Sequence, residues 1–186
     1  MELLMNKLHQ FAAGAIISVF ASVASAGVII DNSTNGYYND SLGDLADDYG
    51  PGFFPGANVS EGDPTINPIN EPGLSSTTEL GGWLNDDFSN SNWSAGPVNI
   101  PTNWTVNDET AIAYEFTLTE SSYVNVKIGV DNGIYAWFDG VYDFGAMRPG
   151  GASPNEYNFG TTLAAGNHYL QLLREDHGSR TGYTIS

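Results

Sequence analysis

From Tyr123 to Val130 the chain alternates without a break, with Val124, Val126, Ile128 and Val130 apolar and β-branched and Asn125, Lys127 and Gly129 between them. A two-residue period is that of a strand with one dry face and one wet one. Asp131-Asn132-Gly133 then reads as a turn and Ile134 to Phe138 as a further strand. Asp139-Gly140 before Val141-Tyr142 reads as a two-residue hairpin loop. Ile112, Tyr114, Phe116 and Leu118 mark a half-buried strand whose other face carries Ala113, Glu115 and Thr117. Leu170 and Leu172 mark the core face of another, His168 to Arg174. Gly27 to Asp31 can open a short first strand, closed by the turn Asp31 to Gly36, and Tyr183 to Ser186 reads as a strand cut short, as in a fragment. Short strands separated by turns predict an all-β chain, an antiparallel β-sandwich or jelly roll with long irregular N-terminal loops.

Those loops fall between Ser41 and Asn103, where periodicity is poor. Leu42 and Leu45 are spaced for one helical turn that also carries Asp44, Asp47 and Asp48, and Pro51-Gly52 stops it. Repeated Pro, Gly and Asn from Pro51 to Gly73 predict loop. A stretch this long without regular structure is usually functional or mobile.

The N-terminus changes what counts as the protein. Lys7 and His9 precede an apolar run from Phe11 to Val23, which ends in Ala24-Ser25-Ala26. Charged, apolar and small-residue regions in that order predict a signal peptide over 1-26, and the run is too short and interrupted for a membrane span of about 20 residues. Residues 27-186 are then one exported β-sandwich domain, secreted or held at the cell envelope. The formal charge of −17 argues against nucleic acid as a partner, because so acidic a chain repels phosphate. With no cysteine there is neither a disulfide framework nor thiolate chemistry.

Candidate chemistry gathers at predicted strand ends. Asp131, Asn132 and Asp139 offer the hard oxygen donors that calcium prefers, although Asp-Asn-Gly and Asp-Gly are also what turns require. In Arg174-Glu175-Asp176-His177-Gly178 the strand runs into a loop, where Glu175, Asp176 and His177 could meet a cation or a sugar hydroxyl. The plainer reading pairs Arg174 with an acid across the sheet and leaves a polar turn. Tyr135 and Trp137 share one strand face, either as an open platform for a sugar ring or buried beneath a loop. No Gly-x-Ser-x-Gly, His-Glu-x-x-His or phosphate-cradling glycine motif is present, so no enzyme is predicted.

Gly62-Asp63-Pro64-Thr65-Ile66-Asn67-Pro68, Gly129-Val130-Asp131-Asn132-Gly133-Ile134, Trp137-Phe138-Asp139-Gly140, Pro149-Gly150-Gly151 and His168 through Gly178 together resemble the PEP-CTERM (exosortase-substrate) exported bacterial proteins. That resemblance implies export, attachment at the envelope and association with exopolysaccharide or biofilm matrix. The order Val130-Asp131-Asn132-Gly133, Trp137-Phe138-Asp139-Gly140 and Leu163 to His168 is more distantly similar to protective-antigen-type β-sandwich lectin domains. In those domains two adjacent aspartates hold calcium, which in turn holds a sugar diol; here the second position is Asn132, one charge fewer. The expectation is a calcium-assisted carbohydrate-binding or adhesion module whose partner is extracellular polysaccharide or cell-surface glycan, with no membrane insertion of the mature chain. The alternative is a structural matrix protein without a small-molecule site, and a glycan hydrolase ranks below both.

Overall fold

The computed structural model describes residues 27–50, 64–74, 80 and 82–186. The predicted signal segment and the Pro/Gly-rich loop over 51–63 lie outside the described residues. The chain is all-β and antiparallel: among the described residues are β1 (Asn35–Asn39), β2 (Val98–Asn99), β3 (Thr110–Leu118), β4 (Ser122–Phe138), β5 (Val141–Arg148), β6 (Tyr157–Leu163), β7 (Gly166–Glu175) and β8 (Gly182–Ile185), with a short α-helix, α1 (Leu45–Tyr49), and a 3-10 turn, Trp83–Asn85. Residues 27–30 form no strand, so the first strand predicted there is displaced to β1. The turn that follows them is present, with the Asp31 carboxylate accepting from the Ser33 N–H at 2.9 Å and the Ser33 hydroxyl at 2.7 Å.

The main sheet runs β2-β1-β3-β7-β4-β5, and β4 is the strand that joins it to a second layer. The first part of β4, Ser122 to Ile128, pairs with β6, and Ile128 to Asp131 pairs with β8. From Asn132 onward the same strand pairs with β5, and from Gly133 with β7. Asp131-Asn132-Gly133 is therefore no turn. It is the point inside a 17-residue strand where one set of partners is exchanged for another, and the Asp131–Asn132 peptide bond is cis. The hairpin at Asp139-Gly140 is as the sequence predicts, with both residues at positive φ (50° and 74°), the backbone a tight two-residue loop needs.

Alternation along the strands sorts side chains into two cores. Ile112, Tyr114, Phe116, Ile134, Ala136, Phe138, Leu170 and Leu172 of the main sheet meet Val126, Ile128, Val130, Phe159, Tyr183 and Ile185 of the second layer. The opposite face of the main sheet is dry as well. There Ala111, Ala113, Tyr135, Trp137 and Leu173 are covered by Leu42, Leu45, Ile69, Leu74, Leu80, Trp83 and Trp93 from the irregular region. The described part of that region is thus a lid over the sheet. Within it, α1 is capped by Asp44, whose carboxylate accepts from the Asp47 N–H at 2.8 Å, and stops at Gly50, φ 75°. Burying large aromatics such as Trp83 and Trp137 stabilises the fold by roughly 1.5–3 kcal/mol per side chain, without any disulfide.

Arg174 corrects the expected ion pair. Its side chain is wholly buried and meets no acid. The guanidinium donates to Thr110 Oγ1 (2.9 Å), the Pro101 carbonyl (2.8 Å) and the Tyr38 hydroxyl (3.3 Å), and lies 4.1 Å from the Trp104 ring centroid and 4.8 Å from that of Tyr183. Planarity lets it donate at its rim while its faces stack on rings, so a buried charge is accommodated without a carboxylate.

Candidate functional site

The site forms where β4 changes partners. Asp131 and Asn132 are 7% and 4% exposed, and the loop leaving β7 lies against them. The His177 N–H donates to Asn132 Oδ1 at 3.1 Å. Asp176, 1% exposed, accepts the Asn107 N–H on Oδ2 at 3.1 Å, and Asn107 Oδ1 in turn accepts the Gly178 N–H at 3.1 Å. Two segments more than forty positions apart are thereby held side by side. Gly151 and Gly182 flank Asp131, and a methyl group at Gly151 would come to 3.8 Å from Asp131 Oδ2.

Burial pushes the Asp176 carboxyl up to about 6, and the nearby Asp131 charge pushes in the same direction. Asp176 Oδ1 and His177 Nδ1 are buried and have no hydrogen-bond partner. Two carboxylates that repel, one with an unsatisfied inward oxygen, suit a divalent cation, which would relieve both costs. No group of three or more His, Asp or Glu side chains among the described residues is arranged to hold a metal by itself. Asp131, Asp176 and the Asn132 amide oxygen supply three donors of the right kind. Calcium takes six to eight oxygens, so backbone carbonyls, water or ligand hydroxyls would supply the remainder.

The other predicted residues lie elsewhere. Glu175, adjacent in sequence, pairs with Gly133 in the ladder and turns to the lid side, fully buried and interacting with Glu109 and Tyr135. Asp139 stands eight positions along β4 from Asp131, roughly 25 Å in an extended strand. Its carboxylate is committed to His168 Nδ1 (2.7 Å) and the Tyr169 N–H (2.8 Å), so the expected grouping of Asp139 with Asp131 and Asn132 is not found. His168, read from the sequence as an ordinary strand residue, is the clamp of that hairpin.

Tyr135 and Trp137 are fully buried, and the arrangement under a loop is the one the structure adopts. Trp137 lies edge-on to Trp83, ring centroids 5.3 Å apart, and its indole N–H donates to Glu71 at 2.8 Å. Neither ring offers a face to a ligand, because the lid occupies it. Asn107 was not singled out by sequence. Its signal is a turn-type Val106-Asn107-Asp108, and its positive φ of 65° aims both its N–H and its side chain at the β7–β8 loop.

No family model matches this chain, and no curated protein matches it. Two solved structures are similar over most of its length. A PA14 sugar-binding domain from an RTX adhesin shares 11% identity, covering 82% of this chain and 88% of that one, with a TM-score of 0.37. The PA14 domain of the antifreeze protein MpAFP shares 15%, covering 89% and 87%, with a TM-score of 0.29. Both superpositions are loose, and the fold and site described above stand on their own geometry.

Proposed function

We propose that this chain is a carbohydrate-binding or adhesion module that works outside the cell, at the envelope or in the extracellular matrix, and that calcium held by Asp131, Asn132 and Asp176 presents open coordination positions to a glycan diol. The observation that carries the reading is the meeting of Asp131-Asn132 with Asp176-His177 at the crossing point of β4, with a buried carboxylate oxygen left unsatisfied. Bound there, calcium would supply charge and free coordination positions; the chain's own part is to fix Asp131 and Asn132 on a strand and to hold Asp176 beside them on a loop tied down by the His177–Asn132 and Asn107–Asp176 hydrogen bonds. The acidic surface accords with attraction of divalent cations and repulsion of phosphate.

Thermal unfolding of the protein with calcium, then with excess chelator, tests the site. A ligand at 100 times its Kd stabilises the folded state by about 2.7 kcal/mol. The expected result is a rise of several degrees that Asp131→Ala abolishes, followed by calcium-dependent retention on polysaccharide. That no carboxylate cage among the described residues is self-sufficient favours one rival, a matrix protein whose acidic surface only solvates and spaces. An unchanged melting temperature would select that rival.

A further inference from the structure

Arg148, Asn132 and Asp176 form a row across three neighbouring strands. Arg148 of β5 pairs with Asn132 of β4. On the other flank of β4, Gly133 pairs with Glu175, which brings the next residue, Asp176, opposite Asn132. Directly opposed residues share one face of a sheet, and here it is the face of Ile134 and Ala146, turned toward the second layer. One strand spacing, about 4.8 Å, therefore separates Arg148 from a proposed calcium donor. The guanidinium is anchored at one nitrogen. Arg148 Nη1 donates to Glu156 Oε1 at 2.9 Å, and the Glu156 side chain is 3% exposed while that of Arg148 is 51% exposed. Its other donors make no hydrogen bond among the described residues and are left for a ligand, in the fixed plane that the buried carboxylate sets. Of the five Lys and Arg in the sequence, Lys7 lies outside the described residues and Arg174 is buried. Lys127 is exposed four positions back along β4, and Arg180 is exposed on the loop that carries Asp176, two positions before Gly182, the partner of Asp131.

We infer that the glycan is acidic: a uronate whose vicinal hydroxyls meet the calcium while its carboxylate is gripped by Arg148, with Glu156 as the positioning residue. The inference rests on the calcium reading and adds the class of sugar to it. A neutral sugar would leave the guanidinium fork solvated. A carboxylate accepts two parallel N–H bonds from it, which fixes the ring's orientation as well as adding affinity. The spacing suits one sugar, since hydroxyls on the calcium and a carboxylate on Arg148 need to be separated by little more than a pyranose ring. The sign of the charge is also right locally. Calcium offsets Asp131 and Asp176, the two arginines stand on either side, and the remaining acidic surface is screened beyond about 8 Å at physiological ionic strength.

The test is titration of the protein, in calcium, into fluorescent trisaccharides of galacturonate and of mannuronate, each also as its methyl ester, which keeps the hydroxyls and removes the charge. Trisaccharides are used because calcium alone cross-links long polyuronates. At least one acid should bind roughly tenfold or more tighter than its ester. Arg148→Gln should abolish that preference while keeping the calcium-induced rise in melting temperature, which Asp131→Ala removes. Glu156→Gln should weaken the acid and leave the ester unchanged, whereas a merely structural role would weaken both. The double variant Arg148→Gln/Glu156→Gln leaves no buried carboxylate unpaired, and it gives the same reading if Arg148→Gln does not fold. With the calcium-induced rise intact, no binding of any trisaccharide, equal binding of acid and ester, or a preference that survives without Arg148 overturns the inference and leaves the calcium reading standing. Absence of that rise overturns both.

Discussion

His177 donates its backbone N–H to the Asn132 side-chain oxygen across 3.1 Å, tying the loop after β7 to the residue at which β4 passes from one layer to the other. The bond needs an acceptor at position 132, and aspartate or asparagine supplies one. Alanine does not.

Asn132→Ala should therefore loosen the loop. The expected loss is about 1–2 kcal/mol in denaturant unfolding, from one net hydrogen bond and one buried donor left unmade. Any calcium-induced rise in melting temperature should shrink with it. Asn132→Asp should keep the hydrogen bond and strengthen that rise, since it adds a charge to the donor set. Calorimetric melting of the three proteins with and without calcium checks both expectations.

Glu109 gives the lid a pH dependence. Its carboxyl, buried at the edge of the second core, is pushed up to about 9 by desolvation, while accepting the Leu45 N–H at 2.6 Å and lying near Glu175 and Asp44. A group that binds its proton more tightly folded than unfolded stabilises most below its unfolded value near 4.5, and that contribution is lost as pH rises toward 9. Glu109→Gln keeps a neutral acceptor. Urea unfolding from pH 5 to 9 should show the native stability falling more steeply than that of the variant.

The His168–Asp139 clamp works with the same sign and a smaller size. Hydrogen bonds to Asp139 and to the Ala164 carbonyl raise the His168 pKa above 6.5. Its contribution is present below that value and fades as pH rises through the folded one. Because the Asp139 side chain is 39% exposed, His168→Gln should cost at most about 1 kcal/mol at pH 5.5 and less at pH 8. NMR titration of the imidazole, alongside unfolding at the two pH values, measures both.

Arg174→Lys should be far from conservative. An ammonium cannot stack on Trp104 and Tyr183 while donating to Thr110, Pro101 and Tyr38, so a loss of about 2–4 kcal/mol is expected. Arg174→Met, which removes the buried charge along with its bonds, should cost less than Arg174→Ala, which also leaves a cavity. Melting temperatures of the three variants rank them.

Trp137→Leu separates packing from recognition. It opens a void beneath Trp83 and removes the bond to Glu71, a loss of about 3 kcal/mol or more. Glycan retention by the protein that remains folded should be unchanged, whereas a fall in retention per folded molecule would restore the ring to the binding surface.

Much of the strand pattern was legible from period-two alternation, which is local. Ile112 to Leu118, Tyr123 to Val130 and Leu170-Leu172 alternate because one face of each meets an apolar layer, and Asp139-Gly140 is marked because few residues tolerate positive φ. Tyr135 and Trp137 could be assigned to a common face but not to a covered one, since their cover comes from Leu42, Leu74 and Trp83, whose own segments carry at most one helical turn of period. Asp131-Asn132-Gly133 was misread as a turn for a related reason. Its composition is that of turns, while its extended path is imposed by β5, β7 and β8 on either side.

The sequence by itself determined the all-β class, most strands and their inward faces, the tight hairpin and the strongly acidic character, all of which depend on near neighbours or on composition. Tertiary structure decided that β4 serves two layers, that Asp176 and His177 meet Asp131 and Asn132 while Glu175 and Asp139 go elsewhere, and that the Arg174 charge is held by rings, two hydroxyls and one carbonyl instead of an acid. Those outcomes depend on which distant segments approach one another, a choice made by the summed burial of two cores and not encoded in the period of any single stretch.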